Sequence, residues 1–251
     1  MDGLEKIELL KVPLTIAPAE KMEEIVYALL SAGRGKDIVL LSVWDLLRAR
    51  RNGEYRNFVV NAGLVIPISK SLVHGAKFLK KTLPVRYMPF DFIVNLLTIL
   101  EKREQPVYLL GGKPAILLKT EKNITQTFPR LRVIGRCPGY FKKHNEDVII
   151  TMIRKSTPAL LLVGQGVHGR ERWVAHNGGR LNPGLRLWCS DIFEVFAERK
   201  KRPSRRVFQL GLEWIGYCFQ KPVRFFRIFL YLYYNVLLLG TRLSKNSNER
   251  T

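Results

Sequence analysis

Two glycine-rich segments have the composition of turns that bind phosphate groups. Residues 109–114 read Leu-Leu-Gly-Gly-Lys-Pro, and residues 161–166 read Leu-Leu-Val-Gly-Gln-Gly. Each segment ends an apolar run, and the first also opens a helical pattern at Pro114. Backbone N–H groups at the start of a helix attract anions together with the helix dipole, and Lys113 would add a positive charge. Neither segment matches a complete dinucleotide-binding or P-loop pattern, so each by itself is a weak indication of a phosphate site.

The net charge of the chain indicates an anionic partner. The 251 residues include 42 Lys and Arg against 21 Asp and Glu, which gives a formal charge of +21. Nucleic acid, a phosphorylated substrate and an acidic lipid surface all fit that charge. Hydrophobic residues make up 47% of the chain, which excludes wholesale disorder, a collagen-like chain and a protein with many membrane spans.

The positive charge is concentrated in the last fifth of the chain, beside its most apolar segment. Residues 199–251 contain twelve lysines and arginines and only two glutamates. Within them, residues 228–240 form an aromatic-rich apolar run of thirteen residues, shorter than the ~20 that cross a bilayer. An apolar helix between cationic flanks is typical of an anchor on an anionic membrane surface. A terminal core helix and a tilted single span are the alternatives.

Cysteine usage and the N-terminus both predict a cytoplasmic protein. Cys137, Cys189 and Cys218 are far apart and lack the spacing of zinc ligands, so reduced thiols are expected rather than a disulfide scaffold or a metal site. The first ten residues have acidic side chains and no long apolar core, unlike a signal peptide.

Apolar runs alternate with helical patterns along most of the chain. Strands are predicted at 38–41, 58–60, 107–110, 132–135, 159–163 and 185–188, and helices at 21–31, 44–51, 90–103, 114–128, 145–155, 171–177 and 191–199. This order predicts an α/β, Rossmann-like parallel sheet with helices on both faces. Residues 1–200 would form this domain, 201–243 a basic, aromatic-rich helical appendage that associates with a membrane, and 244–251 a disordered tail.

Four motifs, in their order and spacing, make the chain resemble the WecG/TagA/CpsF family of bacterial glycosyltransferases over about residues 14–231. The motifs are residues 109–114, residues 138–141 (Pro-Gly-Tyr-Phe), residues 161–166 with Glu171, Trp173 and Asn177, and residues 210–214 (Leu-Gly-Leu-Glu-Trp) with Gln220, Pro222, Arg224 and Arg227. The same glycine turns that suggested a phosphate site are thus part of a longer pattern.

The resemblance implies a Rossmann-like enzyme that needs no cofactor or metal. Such enzymes transfer an N-acetylhexosamine-type sugar from a UDP donor to a sugar on polyprenyl diphosphate, in teichoic-acid or surface-polysaccharide synthesis. The expected partners are therefore a UDP-sugar, a polyprenyl-diphosphate-linked acceptor and an anionic membrane surface, with no nucleic acid and with homo-oligomerisation left open. The expected location is the cytoplasm, peripheral at the inner face of the cell membrane.

The resemblance also implies site residues, because the departing diphosphate needs cationic or N–H partners. Arginine suits this task since its planar guanidinium binds phosphate oxygens in pairs. Arg86 is the expected catalytic cation. The expected donor- and phosphate-binding residues are Gly111, Gly112, Lys113, Gly164, Gly166, Arg170, Glu171, Glu194, Arg224 and Arg227.

The chain departs from the family pattern where the family has its general base. The aspartate of the family's Asp-Gly pair, which is proposed as its base, aligns with Ala62, and an alanine side chain cannot accept a proton. Asp91 is the expected replacement among nearby carboxylates, which also include Asp45 and Glu194, and its alternative role is to cap a helix. Further departures are Leu-Leu-Ser at residues 40–42 for a Thr-x-Asn motif, Arg170 for Gln, Glu194 for Asp and Tyr217 for Arg.

Two other functions compete with glycosyl transfer. A catalytically degenerate relative would retain the phosphate turns and bind a nucleotide sugar or a lipid-linked sugar without turnover. Nucleic-acid binding has only the net charge in its favour, because the aromatic residues near the basic ones lie in an aliphatic segment unsuited to a solvated groove.

Overall fold

A six-stranded parallel sheet forms the centre of the computed structural model, which describes residues 4–33, 35–51, 53–181, 184–211 and 227–248. The strands follow the order β4-β3-β8-β7-β5-β6. They are β3 (Lys36–Leu41), β4 (Leu64–Pro67), β5 (Pro106–Leu110), β6 (Arg132–Cys137), β7 (Leu160–Gly164) and β8 (Leu185–Ser190). A separate antiparallel hairpin consists of β1 (Lys6–Leu9) and β2 (Val12–Thr15).

Helices cover both faces of the sheet, which confirms the predicted α/β architecture. The described helices are α1 (Met22–Ser31), α2 (Val43–Ala49), α3 (Glu54–Asn61), α4 (Lys70–Phe78), α5 (Pro89–Glu101), α6 (Pro114–Thr127), α7 (Glu146–Ser156), α8 (Glu171–Asn177), α9 (Ile192–Phe196), α10 (Arg205–Leu210) and α11 (Arg227–Asn248). One apolar core contains side chains of α2, α3, α7, α8 and the hairpin, and the other contains those of α1, α5, α6 and α9. Because both faces are covered, all residues of β4 and β7 are buried.

The strand predicted at residues 58–60 is wrong, because this segment belongs to α3. Val59 is fully buried while Val60 is 44% exposed, so the valine pair fits an amphipathic helix. The strand lies instead at residues 64–67, where Leu64 pairs with Ile38 of β3. Burial between two layers of helices therefore outweighs the β-propensity of two adjacent valines.

The N-terminal hairpin, which the sequence analysis does not predict, covers the edge strand β4. Leu10 and Lys11 form its turn with left-handed backbone (φ 50° and 67°), and neither is a residue type that usually marks such a turn. Thr15 Oγ1 accepts a hydrogen bond of 3.0 Å from the backbone N–H of Val65 in β4. This contact satisfies a donor that an edge strand would otherwise leave open.

A buried ion pair joins the central strands β3 and β8. Arg186 is 6% exposed, and its Nε donates to Asp37 Oδ1 at 2.6 Å. Two further guanidinium nitrogens donate to the carbonyls of Gly178 (2.8 Å) and Gly35 (3.2 Å). Because Arg186 donates to one carboxylate and two carbonyls, its positive charge is compensated inside the sheet.

Helix α11 presents apolar side chains on two opposite faces. Tyr234 and Leu238 are buried against the domain, and Tyr234 Oη donates to the Ser71 carbonyl of α4 at 2.9 Å. Six apolar residues of the other face are each more than half exposed: Phe229, Leu232, Tyr233, Val236, Leu239 and Leu243. Within the described ranges, no helix has both the length and the apolar character that a membrane span requires.

Helix α11 also extends beyond the expected end of the appendage. The sequence analysis starts a disordered tail at residue 244, whereas the helix continues to Asn248. Residues 241–248 contain no proline or glycine that would end it. The division into a domain of 1–200 and an appendage of 201–243 stays a prediction.

Gly75 of α4 is expected to be required for the docking of α11. A Cβ at this position would collide with Tyr234 Oη. We therefore expect Gly75→Ala to detach α11, although alanine normally stabilises a helix by about 0.5–1 kcal/mol relative to glycine. Hydrogen exchange of the α11 amides measures the effect.

The matched control is Gly240→Ala, because no atom lies within 4 Å of a Cβ at Gly240. This variant should keep or increase the protection of α11. Equal protection of α11 in the two variants would contradict the docking contact.

Candidate active site

A cavity of about 220 Å³ lies at the carboxyl-terminal edge of the sheet, next to the ends of β3 and β8. The chain leaves β3 toward α2 on one face and leaves β8 toward α9 on the other. Ligands of open α/β sheets bind where the connections from neighbouring strands lead to opposite faces in this way. The walls come from the segments after β3, β4 and β8, from residues 200–203 and from α5, α10 and α11, and include Ser42, Trp44, Ile68, Asp191, Phe208 and Tyr231.

Most charged residues in the cavity wall are cationic. Lys200, Lys201 and Arg202 contribute to the wall. Among the described lining residues, Asp191 is the one with a carboxylate side chain. Lys200 Nζ forms an ion pair with Asp191. The backbone N–H groups of residues 199 and 200 both donate to the Glu194 carbonyl, which folds the chain after α9 back toward Asp191. The cavity therefore suits a ligand that is anionic in one part.

Arg86 connects two walls of the cavity. Its Nε donates to the Ile68 carbonyl at 2.9 Å, and its Nη1 donates to the Phe208 carbonyl at 2.7 Å. The guanidinium carbon also lies 3.6 Å from the centre of the Phe208 ring. Arg86 thus attaches α10 to the end of β4, and its expected catalytic role stays a prediction.

Asp91 lies in the first turn of α5 and contacts the basic segment after α9. Its carboxylate oxygens lie 3.1 Å from Arg202 Nη1 and 3.9 Å from Arg205 Nε. The N-cap of α5 is Met88, so Asp91 does not occupy the capping position that was its alternative role. A negative charge in this turn still suits the helix dipole. Its role as the base stays a prediction.

The glycines of residues 109–114 and 161–166 bring the loops after β5 and β7 into direct contact. A Cβ on Gly111 would lie 2.8 Å from the Gly164 carbonyl carbon, and a Cβ on Gly164 would lie 2.6 Å from the Phe193 ring. The N–H of Gly111 donates to Cys137 O (2.8 Å) and that of Gly112 to Gln165 O (2.6 Å). The N–H groups that we expected to be exposed for a phosphate are therefore engaged between loops.

The start of α6 keeps some features of an anion site. Lys113 is the N-cap residue and is exposed, and no side chain caps the first turn. Gly166 has φ 87°, and a Cβ there would lie 2.5 Å from the ring of Tyr140. Donor binding by Gly111, Gly112, Lys113, Gly164 and Gly166 stays a prediction.

Ser42 belongs to a polar cluster with Asp45, Arg48, Tyr55 and Glu171. The sequence analysis did not single out Arg48 and Tyr55. Arg48 forms an ion pair with Glu171, and its guanidinium carbon lies 3.8 Å from the centre of the Tyr55 ring. Burial raises the pKa of the Asp45 carboxyl, against the opposing effect of hydrogen bonds from the Ser42 hydroxyl and N–H. Burial also raises the pKa of Tyr55. The sequence signal that could have identified Arg48 is its i, i+3 spacing from Asp45, which puts the two opposite charges on one side of α2.

A glycosyltransferase family model matches this chain over residues 7–249, under the description Glycosyl transferase WecG/TagA/CpsF family. The chain belongs to this family. The resemblance read from the four motifs is thereby confirmed. A relative in Bacillus subtilis (strain 168), N-acetylglucosaminyldiphosphoundecaprenol N-acetyl-beta-D-mannosaminyltransferase, is 22% identical over 181 residues, which cover 72% of this chain and 70% of the relative.

Ala62, which the sequence analysis aligns with the aspartate of the WecG/TagA/CpsF family, does not lie at the cavity. Ala62 and Gly63 precede β4 and lie at the amino-terminal edge of the sheet, away from the cavity. The residues that follow β4 are Ile68 and Ser69, and both line the cavity. Ile68, like Ala62, has no group that accepts a proton.

Four of the family-derived site residues have little or no described contact with the cavity. Arg224 lies outside the described residues, and the side chain of Arg227, the first residue of α11, is likewise not described. Arg170 precedes α8 with a strained backbone (φ 56°, ψ −125°) and is exposed. Glu194 contributes its carbonyl to the turn after α9. Their roles stay predictions. In the described part of the chain, no three His, Cys, Asp or Glu side chains are grouped as metal ligands.

Gly164→Ala should destabilise the protein because its new methyl group would overlap the Phe193 ring. Overpacking of this kind typically costs about 1–3 kcal/mol. The free energy of unfolding in urea measures the loss. Gly179→Ala is the matched control, since no atom lies within 4 Å of a Cβ at Gly179. Equal stability of the two variants would show that the loop contact is not tight.

Proposed function

We propose that this glycosyltransferase transfers an N-acetylhexosamine-type sugar from a UDP donor to an acceptor sugar on polyprenyl diphosphate. The observation that carries the proposal is a cavity lined both by cations and by apolar side chains, including those of α10 and α11. The relative's name, which combines an undecaprenyl-diphosphate-linked N-acetylglucosamine with N-acetylmannosamine transfer, supports these substrate classes. The product would serve surface-polysaccharide or teichoic-acid-like synthesis.

The chemistry requires stabilisation of the departing diphosphate. The acceptor hydroxyl forms a bond to the anomeric carbon, while the bond from that carbon to the donor diphosphate breaks and its electron pair leaves with the phosphate oxygen. Cations placed at this oxygen lower the barrier. Lys200, Lys201 and Arg202 are the described cations that line the cavity and could serve this role.

The exposed face of α11 supports a location at the inner surface of the cell membrane. Leu230 and Tyr231 of this helix line the cavity, and the next residues, Leu232 and Tyr233, are more than half exposed. A basic protein with an exposed apolar helix face binds anionic bilayers through both features. A lipid-linked acceptor would then reach the cavity from the bilayer.

A second candidate function is binding of the nucleotide sugar or lipid-linked sugar without turnover. The observation in its favour is Ile68, which follows β4, lines the cavity and has no group that accepts a proton. Binding of UDP without any sugar transfer would favour this alternative.

The transfer assay combines the full chain, UDP-N-acetylhexosamines and polyprenyl-diphosphate-linked N-acetylglucosamine. We expect a disaccharide product and a lower kcat/KM for Lys201→Gln. A charge-assisted hydrogen bond contributes about 1.5–3 kcal/mol, so the decrease should be at least about tenfold. Lys102→Gln is the control, because Lys102 pairs with Glu23 on the surface. No product with any donor, despite UDP binding, would contradict the proposed function.

Vesicle binding tests the membrane location separately from catalysis. We expect Leu232→Glu/Val236→Glu to lose co-sedimentation with phosphatidylglycerol vesicles, because two carboxylates replace apolar contacts on the exposed face of α11. The matched control is Leu118→Glu/Val148→Glu, which changes two exposed apolar residues of α6 and α7. Equal binding of both double variants would contradict the contribution of α11.

A further inference from the structure

A general base for glycosyl transfer must reach the acceptor hydroxyl, so it must lie at the cavity. Of the described carboxylates, Asp191 is the one that lines it. Ser190 has a left-handed backbone (φ 52°) and ends β8 directly before Asp191. A strained residue at the end of a central strand, beside a cavity, is a feature of functional sites.

The other carboxylates near this edge of the sheet, like Asp191, have charged or polar partners, but they do not line the cavity. Asp91 contacts Arg202 and Arg205. Asp45 Oδ2 accepts hydrogen bonds from both the hydroxyl and the N–H of Ser42. Glu171, in the same cluster, pairs with Arg48.

Lys200 gives Asp191 a fixed partner within the cavity wall. Its ammonium contacts Asp191 Oδ2, and both side chains are roughly one-quarter exposed. The position of Lys200 follows from the turn after α9, in which its N–H donates to the Glu194 carbonyl at 3.1 Å. The pair therefore presents a carboxylate and a cation to the same space.

We propose that Asp191 is the general base of this enzyme, in place of Asp91 and of the aspartate that the family has at the end of another strand. The inference rests on the proposed function. As the acceptor oxygen bonds to the anomeric carbon, its proton moves to Asp191 Oδ, and the electron pair of the broken bond leaves on the donor diphosphate. Lys200 orients the carboxylate and lies beside the space where the phosphate charge develops.

Asp191→Asn tests the assignment with an isosteric side chain that cannot accept the proton. We expect kcat to fall by about 10²–10⁴-fold, the usual contribution of general base catalysis. The acidic limb of the kcat–pH profile should disappear, while the affinity for UDP, measured by titration calorimetry, stays that of the wild type. Asp191→Glu, which retains a carboxylate, should recover part of the activity and keep the acidic limb.

Asp147→Asn, at an exposed carboxylate of α7 that pairs with Arg180, is the matched control and should retain the acidic limb and the activity. An active Asp191→Asn variant with an unchanged pH profile, or loss of the acidic limb in Asp91→Asn, would overturn the assignment and leave the proposed function standing. A wild-type protein that binds UDP and transfers no sugar would overturn the proposed function, and the assignment of a base with it. Thermal unfolding of each variant identifies a decrease that comes from misfolding.

Discussion

The site depends on loops that pack closely at their glycines, which have no Cβ atom. Gly111 lies against Gly164, and Gly164 lies against the Phe193 ring, at distances where any side chain would force the backbones apart. Phe193 belongs to α9, so this contact fixes the helix that carries one wall of the cavity. The turn after α9 then brings Lys200 to Asp191. The glycine motif thus shapes the cavity indirectly, by positioning α9.

Helix α11 combines a docking face and an exposed apolar face. The first is fixed by the Tyr234 hydroxyl and by the small size of Gly75, and it carries Leu230 and Tyr231 to the cavity. The second consists of six apolar residues that the domain does not cover. A wall of the cavity and a candidate membrane surface therefore belong to one rigid element. Under the proposed function, this arrangement would place the reaction beside the bilayer that holds the lipid-linked acceptor.

The strands that helices cover on both faces were the easiest to predict from the sequence. Residues 107–110 and 159–163 are continuous apolar runs because helices cover both faces of β5 and β7. The error at residues 58–60 has the opposite cause, because two valines with strand propensity lie on an amphipathic helix. The hairpin at residues 6–15 was missed since its turn uses Leu10 and Lys11, two residue types without a turn signature.

The sequence by itself determined the family, the α/β class and the concentration of positive charge, because motif order, apolar periodicity and composition are properties of the chain. The family likeness also proposed Arg86, Asp91 and the glycine turns as site residues, and these roles stay predictions. Only the tertiary structure decided at which edge of the sheet Ala62 lies, which glycine N–H groups form hydrogen bonds between the loops, and which described carboxylate lines the cavity. These features depend on residues far apart in sequence, such as Asp191 and Ser42, that line one cavity because their parallel strands end at the same edge of the sheet.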